Sequence, residues 1–179
     1  LYRRSVEDPA WFWQVVVEDL GLEWFRPYAQ VLDTSRGVPW ARWFVGGQTN
    51  LTWNCLDRHV RAGRGDRLAL VYEGDDGTVR TLTYEELLEE VCRLAFALRG
   101  LGIGRGDVAG VFLPMIPEAV IATLALSRVG ALYIPCFSGF AAPAVATRLA
   151  DGGATLLITA DGFTRRGQVV PMKKTADAA

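Results

Sequence analysis

The chain has 179 residues, half of them hydrophobic, enough to bury a core and too apolar for a disordered segment. Lysine plus arginine number 19 against 20 aspartates and glutamates, a net charge of −1, so no broad positive field exists to hold nucleic acid or an anionic membrane. No stretch reaches the roughly 18 uninterrupted apolar residues of a membrane span, and the start has no signal-peptide pattern, which makes a cytoplasmic protein the expectation.

In chain order, Asp8 and Pro9 predict a helix start, as N-cap and first helical residue, for a helix running to about Leu20. From Trp24 to Thr49 many aromatic residues stand among prolines and glycines with neither helical nor strand periodicity, which predicts an irregular ordered wrap. Asn50 is placed to cap a helix from Leu51 to about Arg61. Strand-like runs at Leu68 to Glu73 and Val79 to Thr83 flank Gly74-Asp75-Asp76-Gly77, a hairpin signal. Thr83 and Glu86 then form a capping box ahead of a helix whose apolar face carries Leu87, Leu88, Val91, Leu94, Ala95 and Leu98, and Glu89 and Arg93 are spaced as an i,i+4 pair.

Beyond glycines 100, 102, 104 and 106, the run from Val108 to Phe140 reads as strand, helix starting at Pro117-Glu118, and second strand. A short amphipathic helix from Pro143 to about Ala150 and an apolar strand from Thr155 to Thr159 follow. Alternation of this kind predicts an α/β domain with a mainly parallel sheet, flanking helices and one added hairpin.

Parallel sheets bind ligands beyond the carboxyl ends of their strands, which directs attention to CFSGF. There Gly139 allows close backbone approach and Phe137 or Phe140 offers a flat apolar face; equally, Gly139 serves only a tight turn and both rings are core. Past the third strand, Arg165 and Arg166 have the forked donors that bind phosphate, or are simply solvated. Lys173 and Lys174 read as solvated, with ligand contact as the alternative.

Other motifs carry less. GLGIGRGD follows a helix and precedes a strand, the reverse of a dinucleotide fingerprint. Cys55 and His59 share a helix face at i,i+4, but His59 is the sole histidine and no cysteine pair completes a metal site. Ser138 lacks both a positioned base and the GxSxG elbow of a hydrolase. Cys55, Cys92 and Cys136 lie in apolar surroundings typical of buried free thiols, which fits a reducing compartment.

Taken together, WFVGGQTNLTWNCLDRH from Trp43 to His59, then LTYEEL, GDVAGVFLPMIPE, FSGF, ITADGF and PMKK in that order, resemble the amino-terminal region of acetyl-CoA synthetases. These are short-chain acyl-CoA synthetases of the adenylate-forming superfamily. The resemblance implies a leader segment over residues 1–60 and the start of an AMP-binding domain over 61–179. It implies a two-step ligase: a small carboxylic acid and ATP give an acyl-adenylate with help from Mg2+, and coenzyme A then displaces AMP. Phe137, Ser138, Gly139, Arg165 and, more weakly, Arg166 match positions near the nucleotide end of coenzyme A. Ser138 stands where a glycine is usual, and Gln168 where a second arginine is usual. The phosphate-cradling loop, the acyl pocket and the catalytic lysine of such enzymes have no counterpart motif in this sequence. The chain thus reads as a fragment, inactive by itself, with no cofactor expected to bind it tightly, poorly soluble or poorly cooperative because its sheet would be cut, and lacking the carboxyl-terminal remainder. The alternative is a truncated, non-catalytic paralogue that binds a nucleotide-like ligand or a protein through its aromatic leader.

Overall fold

The computed structural model describes residues 1–165 and 167–179, and they form two compact units, Leu1–Asn50 and Leu51–Ala179. In the first, α1 (Tyr2–Glu7) is followed by α2 (Pro9–Asp19), and the Asp8 carboxylate accepts the Trp11 amide at 3.0 Å, as a capping residue should. The segment expected to be irregular contains an antiparallel pair, β1 (Gln30–Asp33) and β2 (Arg42–Val45), joined through a 3-10 turn at Val38–Trp40. Four-residue strands are too short to show a period of two. What holds them is aromatic packing: Trp24, Tyr28 and Phe44 meet with ring centroids 5.0–5.3 Å apart, and Tyr28 donates its hydroxyl to Gln14 at 2.8 Å.

The second unit opens with a helix over residues 51–64, longer than expected and built largely of π-helical turns at Trp53–Asp57 and Val60–Arg64. The wider turn brings Asn54, Leu56 and Asp57 inward together. Cys55 is left exposed and Cys92 half-buried, so of the three thiols only Cys136 is buried as the sequence reading expected. His59 accepts a hydrogen bond at Nδ1 from Arg64, 2.8 Å away, and lies 5.1 Å from the Tyr84 ring, a structural setting.

The expected hairpin is present: β3 (Leu68–Glu73) pairs with β4 (Val79–Thr83), and Gly77 takes the left-handed backbone conformation, φ +79°, that the Asp76-Gly77 turn requires. Thr83 then caps α3 (Tyr84–Gly100) through both hydrogen bonds of the capping box, at 3.2 and 2.8 Å. Thr83→Ala should lower the stability of this unit by about 1 kcal/mol, measured as a reduced urea midpoint, whereas Thr83→Ser should be close to neutral. Leu87, Val91, Ala95 and Leu98 form the buried face of α3, as the spacing predicts. Arg93 lies closer to Glu90, at 2.6 Å, than to Glu89, at 3.8 Å, because both i,i+3 and i,i+4 neighbours reach it on an exposed face.

The central sheet is parallel, in the order β6 (Leu132–Pro135), β5 (Val108–Phe112), β7 (Leu156–Thr159). Along β5 the side chains alternate between two cores. Ala109 and Val111 face α3 and α4 (Pro117–Val129), while Phe112 belongs to a second core with Cys136, Val145 and Met172. That second core is built with α5 (Ala142–Gly152) and a short α6 (Met172–Asp177). Unforeseen is a hairpin of β8 (Phe163–Arg165) and β9 (Gln168–Val170), with three residues in each strand. The result is the expected α/β layering, a parallel sheet with helices on both faces. Among the described residues no helix is long and apolar enough to cross a membrane.

Candidate functional site

Three chain segments leave the carboxyl edge of the sheet. From the central strand β5 comes Pro114-Met115-Ile116, from β6 comes the turn Phe137 to Phe140, and β7 leads into the β8–β9 hairpin. Together with the tip of the β3–β4 hairpin they enclose an open cleft of about 640 Å³. Phe137, Ser138 and Arg165 all line it.

The turn at Phe137 is closed by a hydrogen bond from the Phe140 amide to the Phe137 carbonyl at 2.9 Å. A Cβ at Gly139 would come within 2.7 Å of the Phe137 ring, because that aromatic side chain folds back over the glycine. The two phenylalanines then divide the roles that the sequence left open. Phe140 packs against the second core, under the Arg148 guanidinium at 4.2 Å, whereas Phe137 is 61% exposed and faces the cleft. Cys136, directly before it, is buried, and burial pushes its thiol pKa up, so it remains a neutral core residue.

Arg165 ends β8, opposite Gln168 in the hairpin register, and is exposed. Among the described residues it makes no ion pair, so its guanidinium is available to a ligand. Arg166 lies outside the described residues. Lys173 pairs with Asp177 within α6, and Lys174 is exposed.

The wall opposite the sheet edge was not anticipated from sequence. It is the hairpin tip, Tyr72 to Asp76, which brings Glu73, Asp75 and Asp76 to the cleft. The Asp76 carboxylate accepts the Thr78 amide at 2.9 Å, and that hydrogen bond holds it below the usual carboxylate range. The cleft is therefore two-signed, with carboxylates on the hairpin and a guanidinium on β8. A strand-end rule finds the Met115 and Phe137 loops; the hairpin tip arrives by long-range packing, for which a linear sequence has no local mark. Among the described residues no group of three or more His, Cys, Asp or Glu side chains is arranged to hold a metal.

A second recess of about 690 Å³ lies between α3, α4 and the end of β7, but its arginines are occupied. Arg80 pairs with Glu118 at 2.8 Å and Arg93 with Glu90. Partial burial disfavours the Glu118 carboxylate, yet its hydrogen bond with Arg80 prevails and keeps it ionised below its ordinary range. With its arginines paired internally, this recess offers an anion less than the first cleft does.

Residues 56–179 match the family model described as AMP-binding enzyme, and residues 1–55 match acetyl-coenzyme A synthetase N-terminus. The chain belongs to the AMP-binding enzyme family. Over its whole length it is 50% identical to an acetyl-coenzyme A synthetase of Mycobacterium tuberculosis (strain ATCC 25618 / H37Rv). It is 42% identical, again over its whole length, to a 3-hydroxypropionyl-coenzyme A synthetase of Sulfurisphaera tokodaii. Among solved structures, an acetoacetyl-CoA synthetase from Streptomyces lividans superposes with a TM-score of 0.88 at 33% identity, over 98% of this chain. The chain spans 27% of the length of each of these proteins. The resemblance read from the ordered motifs of the sequence is thereby established, and the α/β fold with it. Within this family the chain corresponds to the amino-terminal region.

Proposed function

We propose that this chain forms the amino-terminal part of a cytoplasmic AMP-forming acyl-CoA synthetase, which joins a short carboxylic acid, acetate or propionate, to coenzyme A using ATP. Within that enzyme the cleft beyond β5, β6 and β8 receives the nucleotide end of coenzyme A. Arg165 donates forked hydrogen bonds to a phosphate, Phe137 presents a flat face to the adenine, and the Ser138-Gly139 turn lets backbone and hydroxyl approach the sugar-phosphate. The observation that carries this is the convergence of Phe137, Ser138 and Arg165, from segments far apart in sequence, on one cleft. Chemistry requires ATP to activate the acid, with magnesium to shield its phosphates. The contribution of this region is to bind and orient the thiol substrate.

Adenosine 3′,5′-bisphosphate, which carries the nucleotide end of coenzyme A without the thiol arm, is the probe. Titrated into the chain by calorimetry or NMR, it should bind, and Arg165→Ala should weaken that binding about tenfold through loss of charge-assisted hydrogen bonds. A dissociation constant indifferent to Arg165→Ala rules the assignment out.

A further inference from the structure

Met115 is the one large apolar side chain of the cleft that lies almost wholly in solvent, 89% exposed, on the short connection between β5 and α4. Covering this exposed thioether would remove apolar surface from water, and its neighbours Pro114 and Ile116 line the same cleft. Strand order fixes its position. Because β5 lies between β6 and β7, the loop bearing Met115 stands between the Phe137 turn and the segment that leads from β7 to Arg165. A ligand reaching from the Arg165 guanidinium to the Phe137 ring passes over it.

We propose that Met115 is a ligand-contacting residue, its thioether packing on the adenine face as the counterpart of Phe137, so that the purine is gripped between a rigid aromatic and a flexible, polarisable side chain. Sulfur packs favourably on aromatic rings, and an unbranched side chain with three rotatable bonds adjusts to the ring as it enters. The inference rests on the reading of this cleft as the coenzyme A site and adds a contact to it. Phe137 alone covers one face of a flat ring; Met115 supplies a second apolar surface beside it.

The chain contains only two methionines, and Met172 is wholly buried in the second core, which gives a test with an internal control. With the methionine methyls carbon-13 labelled, adenosine 3′,5′-bisphosphate should shift the Met115 methyl upfield by the ring current of the purine. That shift should saturate together with the Ser138 and Arg165 amides, while the Met172 methyl moves far less. Pantetheine, which has no purine, should produce no upfield shift. Met115→Ala should weaken binding of the bisphosphate about threefold to tenfold, and Met115→Leu should retain most of the affinity. If the Ser138 and Arg165 amides respond while the Met115 methyl stays still, or if pantetheine alone moves it, the Met115 contact is wrong and the cleft assignment stands. If no cleft resonance responds to the bisphosphate, the assignment of the cleft fails and this contact falls with it.

Discussion

Phe112→Ala should lower the stability of the Leu51–Ala179 unit by about 3–5 kcal/mol, read as a large fall in urea midpoint. The side chain is 1% exposed and ends β5, the strand hydrogen-bonded on both sides. Its ring fills the second core between Cys136, Val145 and Met172. Removing it deletes the apolar contacts and leaves a void that these neighbours, drawn from three separate elements, close only in part. The loss should also reach the cleft. Cys136 precedes Phe137, and Phe163 of the same core begins the strand that ends at Arg165, so two walls are anchored on the packing that Phe112 completes. Phe112→Leu, which restores most of the volume, should recover most of the stability. A midpoint for Phe112→Ala within error of the parent would mean that the two sheet faces do not share the load described here.

The second large effect is expected at Arg128, whose guanidinium makes a two-point ion pair with Asp57, at 2.8 and 3.0 Å, tying α4 to the helix over residues 51–64. The side chains are 31% and 12% exposed, so the pair sits largely out of solvent and removing one partner costs more than it would at a surface pair. Hydrogen bonding to Asp57 raises the arginine pKa further, against a smaller opposing effect of burial, so the cation persists throughout the accessible pH range. Arg128→Met should cost about 3 kcal/mol, because it strands the Asp57 carboxylate in a site where water reaches poorly. The double variant Arg128→Met with Asp57→Leu should be more stable than Arg128→Met alone, since no buried charge is then left without its partner. Equal losses for the single and double variants would show that the two-point geometry, not the stranded charge, sets the cost. Thr52, fully buried and donating its hydroxyl to the Leu124 carbonyl at 2.8 Å, ties the same two helices one turn further along.

Where the sequence reading succeeded, the cause was local. The capping box at Thr83 and Glu86, the Asp76-Gly77 turn and the run from Val108 to Phe140 each announce themselves within a few residues, and each is present in the structure. Where it fell short, the determinants were distant. The four-residue strands at Gln30–Asp33 and Arg42–Val45 are stabilised by aromatic packing across the chain. In the helix from 51 to 64, Thr52 and Asp57 are tied to α4, more than seventy residues away, and Cys55 lies exposed on its surface. The same division runs through the site. Phe137 and Ser138 follow a strand whose type is legible, and their place at the sheet edge could be named in advance. The carboxylates of the β3–β4 tip could not, since nothing near Asp75 in the sequence says which loop it will face.

The central sheet also acts as a gauge. Adjacent strands in any sheet are separated by about 4.8 Å, a repeat fixed by backbone hydrogen bonds and indifferent to side chains. With β5 between β6 and β7, the roots of the outer two loops are held roughly 10 Å apart whatever sequence the loops carry. That span separates the Phe137 turn from the segment that leads to Arg165, the two walls of the proposed coenzyme A site. Loop residues can therefore drift in sequence while the separation of the walls they build on stays constant.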